Sequence, residues 1–298
     1  MKDLEREINP NNYIRKKVNV GYHVTKWFVF AVFVIYAISL LFPFLWMLIN
    51  SVKTTGDFSS GNYFGWPKEF AGKNFIEVLS VTLEGSNETI GMMFLMSVVT
   101  TVLGTIVNVG FSACVAYVIS KFKFPGRGVI YGVAIFTMVV PIVGTLPAQV
   151  NMMQTLGLDD TLIGVLFLYS GCFGFNFILL YSSFSSISNT YMEAASVDGA
   201  GRFKTFFKVM LPMAKGPLIA CSILTAIGYW NDYQTPYLYL PDDFQTLAVG
   251  LQQYQLENQT SYPLVFASMI ISIIPILILY LIFQKRIIES TNAGGLKG

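Results

Sequence analysis

The chain has 298 residues, of which 54% are hydrophobic and only 12% charged, with a formal net charge of +2. Soluble domains carry roughly 25% charged residues, so this supply cannot solvate a globule of this size. The charges are gathered in blocks, and the apolar stretches between them run for about 20 residues, the length that crosses ~30 Å of hydrocarbon as a helix.

In chain order, residues 1–26 form a polar, basic arm in which the lone histidine, His23, reads as a solvated or interfacial residue. The apolar run that follows is too long for a signal-peptide core and has no clear cleavage site, so it is expected to be retained as a first span. Six spans are predicted, over 27–50, 92–119, 129–152, 162–184, 216–237 and 263–283. They form an all-α transmembrane domain over 27–284, with a long loop at 51–91 and a second at 185–215. A tail of 285–298 closes the chain. Trp27, Trp46, Tyr117, Tyr131, Tyr237 and Tyr262 lie near span ends and suit an interfacial aromatic belt. Cys114, Cys172 and Cys221 fall in three different apolar segments without CxxC spacing, so no metal or disulfide framework is expected.

Lys and Arg set the orientation. Of the 19 basic residues, all but Lys53, Lys68 and Lys73 fall in the N-terminal arm, the loops after the second and fourth spans, or the tail. The positive-inside rule then puts both termini in the cytoplasm, and an even number of spans agrees. The opposite face is acidic, with Asp57, Glu69, Glu77, Glu84, Glu88, Asp159, Asp160, Asp242, Asp243 and Glu257. That acidity reads either as ordinary loop solvation or as a docking surface for an external partner. Asn87-Glu88-Thr89 and Asn258-Gln259-Thr260 match the glycosylation pattern, which carries meaning only in a secretory host.

The cytoplasmic loop at 185–215 is too long for a tight turn. Thr190 and Glu193 have capping-box spacing, which predicts a helix start there. Gly199 is placed as a left-handed helix cap. A second helix is expected beyond Gly201, with Phe203, Phe206, Phe207 and Met210 forming an apolar stripe, Lys204 and Lys208 on another face, and Leu211-Pro212 ending it. The stripe either lies against helix ends or lipid, or fills a groove on a partner.

The run Glu193-Ala194-Ala195-Ser196-Val197-Asp198-Gly199-Ala200, followed by Leu211-Pro212, resembles the EAA signature of ABC importer permeases. Other stretches agree with the resemblance: Trp46-Met-Leu-Ile-Asn-Ser51-Val-Lys53, the segment from Pro141 to Leu158 with Pro147 and Leu156-Gly157-Leu158, and Trp230-Asn231-Asp232. The tail Asn292-Ala293-Gly294-Gly295-Leu296-Lys297-Gly298 is similar to the C-terminus of the MalG-like, carbohydrate-importing branch. The resemblance covers nearly the whole chain and is weakest in the N-terminal arm and the first external loop.

This resemblance implies a type I importer permease in a bacterial cytoplasmic membrane, paired with a second homologous permease. Two ATPase subunits would sit beneath the pair, and an extracytoplasmic solute-binding protein would deliver the substrate. It assigns the ATPase contact to Glu193, Ala194, Ala195, Ser196, Asp198, Gly199, Arg202 and Pro212, with Gly294 and Gly295 of the tail as a second contact. Glu193 has two compatible readings, a cap of its own helix or a bond to the ATPase. The chain contains no GxxxxGK[ST] loop to cradle a triphosphate. ATP is therefore expected on the partner, and no cofactor, catalytic residue or nucleic acid is expected here.

Candidates for the substrate path are Gln149, Asn151, Gln154, Asn176, Trp230, Asn231, Asp232 and Tyr233. Amides and aromatic faces such as Tyr169 suit a hydroxyl-rich solute. Asp232 stands out as an acid within a span, a default functional candidate; its structural alternative is to pair with Asn231 or cap a broken helix before Pro236. Rival readings are a permease for peptides or other small solutes, an ion-coupled transporter and an intramembrane enzyme. The last two lack the multiple buried acids, relay histidine, internal repeat or carboxylate pair that each would show.

Overall fold

A computed structural model describes residues 20–83, 87–139, 144–257 and 261–295. Most of the N-terminal arm, Glu84, Pro141, the Asn258-Gln259-Thr260 sequon and residues 296–298 lie outside the described residues, as do the side chains of His23, Lys285 and Arg286. Among the described residues the regular secondary structure is helical apart from one isolated antiparallel bridge between Thr82 and Thr89. The chain divides into two compact units, Met1–Leu48 and Ile49–Gly298.

The first unit is the body of helix α1 (Val20–Ser51). Its side chains from Val24 to Leu45 are exposed and almost wholly apolar. A helix apolar on every side needs lipid or protein around it.

The second unit begins with the last turn of α1, and a short polar knot follows. In it, α2 (Thr55–Ser59) is capped by the Thr54 hydroxyl, which accepts from the Asp57 amide. The buried Asp57 carboxylate accepts from the Asn62 side chain at 2.9 Å and from the Lys68 backbone amide at 2.9 Å. The Lys53 ammonium is fully buried and donates to the Asn62 carbonyl. Asn74, at the start of α3 (Asn74–Ser80), donates to the carbonyls of Ser51 and Lys53.

Helix α4 (Ile90–Lys121) is the axis of the unit. Its buried positions are largely small: Ser97, Thr100, Thr101, Gly104, Thr105, Ser112, Ala113 and Ala116. Small residues let neighbouring backbones approach closely in a membrane bundle. Against α4 pack α7 (Leu162–Tyr169), α8 (Phe175–Ser186), α12 (Lys215–Trp230) and α14 (Leu247–Glu257). At one end of α4, Tyr117 joins Phe184, Phe206 and Met210 in one apolar core. At the other, Ile90 and Met93 join Trp230, Leu247 and Tyr254 in a second. The remaining helices are α5 (Arg127–Val139), α6 (Leu146–Leu156), α9 (Thr190–Val197), α10 (Arg202–Thr205), α11 (Leu211–Met213), α13 (Gln234–Tyr239) and α15 (Tyr262–Gly295).

Three of the predicted spans are single helices, α1, α4 and α15, each with a segment long and apolar enough to cross a bilayer. The other three are not continuous, which corrects the sequence expectation. The span placed at 129–152 is α5 and then α6, with Gly144 at φ +81° just before the second helix. The span at 162–184 is α7 and α8, separated by a break that ends on Gly174 at φ +128°. The span at 216–237 stops at Trp230 and resumes as α13. Length and apolar composition cannot reveal such breaks, because a broken span is as apolar as an intact one.

Candidate functional site

The EAA segment folds as a helix–turn–helix. Gly199 has φ +74°, the Ala200 amide donates to the Ala195 carbonyl at 2.8 Å, and the Gly199 amide donates to Ser196 at 3.1 Å. This is the Schellman pattern, in which a left-handed residue closes the helix and satisfies its last carbonyls. The expected capping box is absent. Asn189 is the N-cap and makes no side-chain cap bond, while the Thr190 hydroxyl is engaged with the Ser188 hydroxyl at 2.6 Å. Glu193 therefore does not cap α9, and its side chain is exposed.

The apolar stripe divides. After α10 the chain makes a π-turn over Phe206–Met210, so side-chain spacing departs from the α-helical period. Phe206 and Met210 are buried in the core around Tyr117 and Phe184, whereas Phe203 and Phe207 are exposed. Leu211-Pro212 closes the helix to within one residue. Helix α11 runs to Met213, and the chain then bends by 81° into α12.

The tip exposes Glu193, Ala194, Ser196, Val197, Asp198 and Gly199, while Ala195 is buried. Val197, 88% exposed, was not singled out from sequence. It lies four residues after Glu193 and so shares its helical face, which is the signal that marks it. Arg202 turns back over the Phe122 ring, 5.5 Å from its centroid. Lys121 anchors the start of the motif through the Ile187 carbonyl and Asn189 Oδ1. The motif is thus tied to the end of α4. Helix α15 carries Gly294 and Gly295 at its end.

About 20 Å along α4, at 1.5 Å per residue, lies a polar cluster. Asn108 donates to the carbonyls of Tyr169 and Gly171, the groups freed where α7 ends. Asn176 donates to Asn108 Oδ1 at 2.8 Å and Thr225 Oγ1 at 2.7 Å. The rings of Tyr169 and Tyr229 stack at 3.8 Å. The Tyr169 hydroxyl donates to Asp232 Oδ2 at 2.8 Å, and Asp232 Oδ1 accepts from the Thr235 amide at 3.1 Å. Asp232 therefore caps the resumed helix before Pro236, whereas Asn231 turns to its own helix at Ile227. A cleft of about 340 Å³ opens beside Asn108, Ser112, Asn176, Thr225 and Tyr229.

Of the path candidates from sequence, the structure brings Asn176 and Asp232 into one cluster. Trp230 is a core residue that donates to the Ser272 carbonyl and meets Phe94 edge-on. Tyr233 stacks on Tyr237. Gln149, Asn151 and Gln154 are exposed on α6, whose Met153 faces the core instead. Asn108, Thr225 and Tyr229 were missed. A lone amide in the apolar run of α4 was the available signal.

Apolar helices broken beside a polar cleft, with an exposed helix–turn–helix tied to α4, suit a membrane permease. The family described as "binding-protein-dependent transport system inner membrane component" matches residues 109–291, and the chain belongs to it. The diacetylchitobiose uptake system permease protein NgcG of Streptomyces coelicolor is 31% identical, covering 89% of this chain and 86% of that one. The trehalose/maltose permease MalG of Thermococcus litoralis is 28% identical over 89% of this chain and 94% of its own. A solved bacterial ABC transporter involved in alginate import superposes with a TM-score of 0.77 at 28% identity, covering 88% of this chain and 96% of that one. The chain is thus a multi-pass ABC importer permease of the MalG-like branch and not an enzyme.

Proposed function

We propose that this permease carries a sugar or oligosaccharide across a bacterial inner membrane, as one of two homologous permeases above two ATPase subunits. An extracytoplasmic binding protein delivers the solute. Six crossings with both termini in the cytoplasm fit the distribution of Lys and Arg. Relatives with high coverage are named for saccharides, among them diacetylchitobiose, trehalose and maltose, and alginate. The observation that carries the reading in this chain is the cleft beside Asn108, Asn176 and Thr225, where amides and a hydroxyl adjoin the half-buried Tyr229 ring. Saccharides call for that combination of hydrogen-bonding groups and flat apolar faces.

The helix–turn–helix supplies the coupling. Glu193, Ala194, Val197, Asp198 and Gly199 form the exposed tip that enters the ATPase. Closure of the ATPase pair moves the tip, the tip moves the end of α4 through Lys121 and Tyr117, and α4 carries the displacement to the cleft. Such coupling runs through packed, rigid elements.

The test is ATPase activity of the reconstituted complex, with binding protein and a panel of saccharides and peptides. Stimulation by one or more saccharides is expected. Stimulation by peptides alone overturns the solute assignment, and transport driven by an ion gradient without ATP overturns the class.

A further inference from the structure

A groove of about 570 Å³ lies where the end of α4 meets α10, walled by Cys114, Val118, Phe122 and Phe203. Two cations, Lys123 and Arg202, stand at this apolar groove. Two neighbouring cations have oxygen partners: Lys121 bonds the Ile187 carbonyl, and Arg127 reaches the Tyr181 hydroxyl at 3.5 Å. Among the described residues, neither Lys123 nor Arg202 has an acidic partner within ion-pair distance, the recorded pair being Lys68 with Asp57. Arg202 is held in place by the face of Phe122.

The groove does not end at the cations. Phe111, Cys114 and Val118 are exposed along α4 and lead into it. Their spacing of three and four residues puts them on one side of the helix. From Phe111 to Phe122 the chain rises ~16 Å, about the ~15 Å depth of one leaflet. An apolar track along a spanning helix, ending in two cations without acidic partners, matches one chemistry: an anionic head with a long apolar tail.

We propose that this groove binds an anionic phospholipid, its phosphate on Lys123 and Arg202 and one acyl chain along Cys114, Val118 and the exposed side of α4. Basic pockets beside helix ends hold anionic headgroups in this way. The site is distinct from the saccharide cleft and independent of the solute. It takes from the functional reading only that this end of α4 faces the cytoplasmic leaflet. The lipid abuts Phe203 at the start of α10, so its occupancy braces the coupling motif against α4.

The experiment uses the full chain with its partner subunits in detergent, and reads retained lipid by native mass spectrometry. Phosphatidylglycerol, phosphatidylcholine and inorganic phosphate are added in separate arms. Retention of phosphatidylglycerol at least tenfold above phosphatidylcholine is expected, with loss of that preference in the K123Q/R202Q double variant. Because that double variant is open to folding defects, Val118→Trp is measured beside it; it keeps both cations, fills the groove and should also lose the lipid. A phosphatidylglycerol bearing a photoreactive acyl chain should label the 114–118 stretch. Equal retention of the two lipids, binding of inorganic phosphate alone, or an unchanged preference in both variants overturns the proposal. Labelling of a partner polypeptide with none on 114–118 also overturns it. Saccharide-stimulated ATPase activity is scored separately, so failure here and failure of the solute assignment are told apart.

Discussion

Gly104 lies so close to Tyr169 that a Cβ on it would sit 2.6 Å from the ring carbon Cδ2, and 3.1 Å from the same atom of Tyr229. The stacked tyrosines are therefore seated on a bare stretch of α4 backbone. Gly104→Ala should improve local helix propensity yet force the stack to move, with a net loss of about 1–3 kcal/mol typical of overpacking. A lowered Tm with a disproportionate fall in transport is the expected result. Gly110→Ala, where the added carbon meets nothing within 4 Å, is the control on the same helix.

Asp232 holds a structural post that an amide can also fill. In Asp232→Asn the amide oxygen still accepts from Thr235, and the amide nitrogen takes the place of Oδ2 and donates to the Tyr169 hydroxyl, so Tm and ATP-driven transport should stay close to wild type. Asp232→Ala and Tyr169→Phe each strip a partner from a polar group and should cost about 1–3 kcal/mol. Thermal denaturation of the three variants gives the ranking. Abolished transport in Asp232→Asn with Tm preserved would instead make the carboxylate part of an ion-coupling step.

At the coupling tip, Gly199→Val puts a β-branched side chain at φ +74°. The left-handed conformation costs roughly 1–2 kcal/mol for a residue with a Cβ, and branching adds to that. The Schellman closure should open, and the ATPase should fail to co-purify while membrane insertion persists. Val197→Asp keeps the backbone intact and tests the surface alone. It should retain Tm and lower ATPase retention at least tenfold.

The polar knot after α1 gives a pH signature. The Lys68 amide first, and the Asn62 side chain next, hold the Asp57 carboxyl below its ordinary value. A depressed folded value means the carboxylate stabilises the knot fully above the unfolded value near 3.9. That contribution is lost as pH falls through the folded value. Hydrogen exchange of residues 52–71 should be flat with respect to this group from pH 5 to 7 and accelerate below about pH 4. Asp57→Asn should exchange faster at neutral pH and lose the acid step.

What could be read from the sequence follows the range of the forces involved. Helices α1, α4 and α15 were legible because span length and apolarity are properties of one segment. Gly199 was legible because a left-handed cap is settled within a few residues. The break between α7 and α8 was not, because the carbonyls of Tyr169 and Gly171 are satisfied by Asn108, more than 60 positions earlier in the chain. The capping box failed for a local reason, since the neighbouring Ser188 engages Thr190 first. The aromatic stripe was half right. Four apolar residues at helical spacing predict one face, but the π-turn sends Phe206 and Met210 inward and leaves Phe203 and Phe207 outside.

The bond pattern of Asn108 also has a mechanical meaning. Straightening α7 and α8 into one rod would return the Tyr169 and Gly171 carbonyls to their own helix and evict Asn108 from both. While Asn108 stays, the two halves are separate levers hinged on a pin that belongs to a third helix. A push on the Phe184 end of α8 can then swing that half and leave α7 at rest.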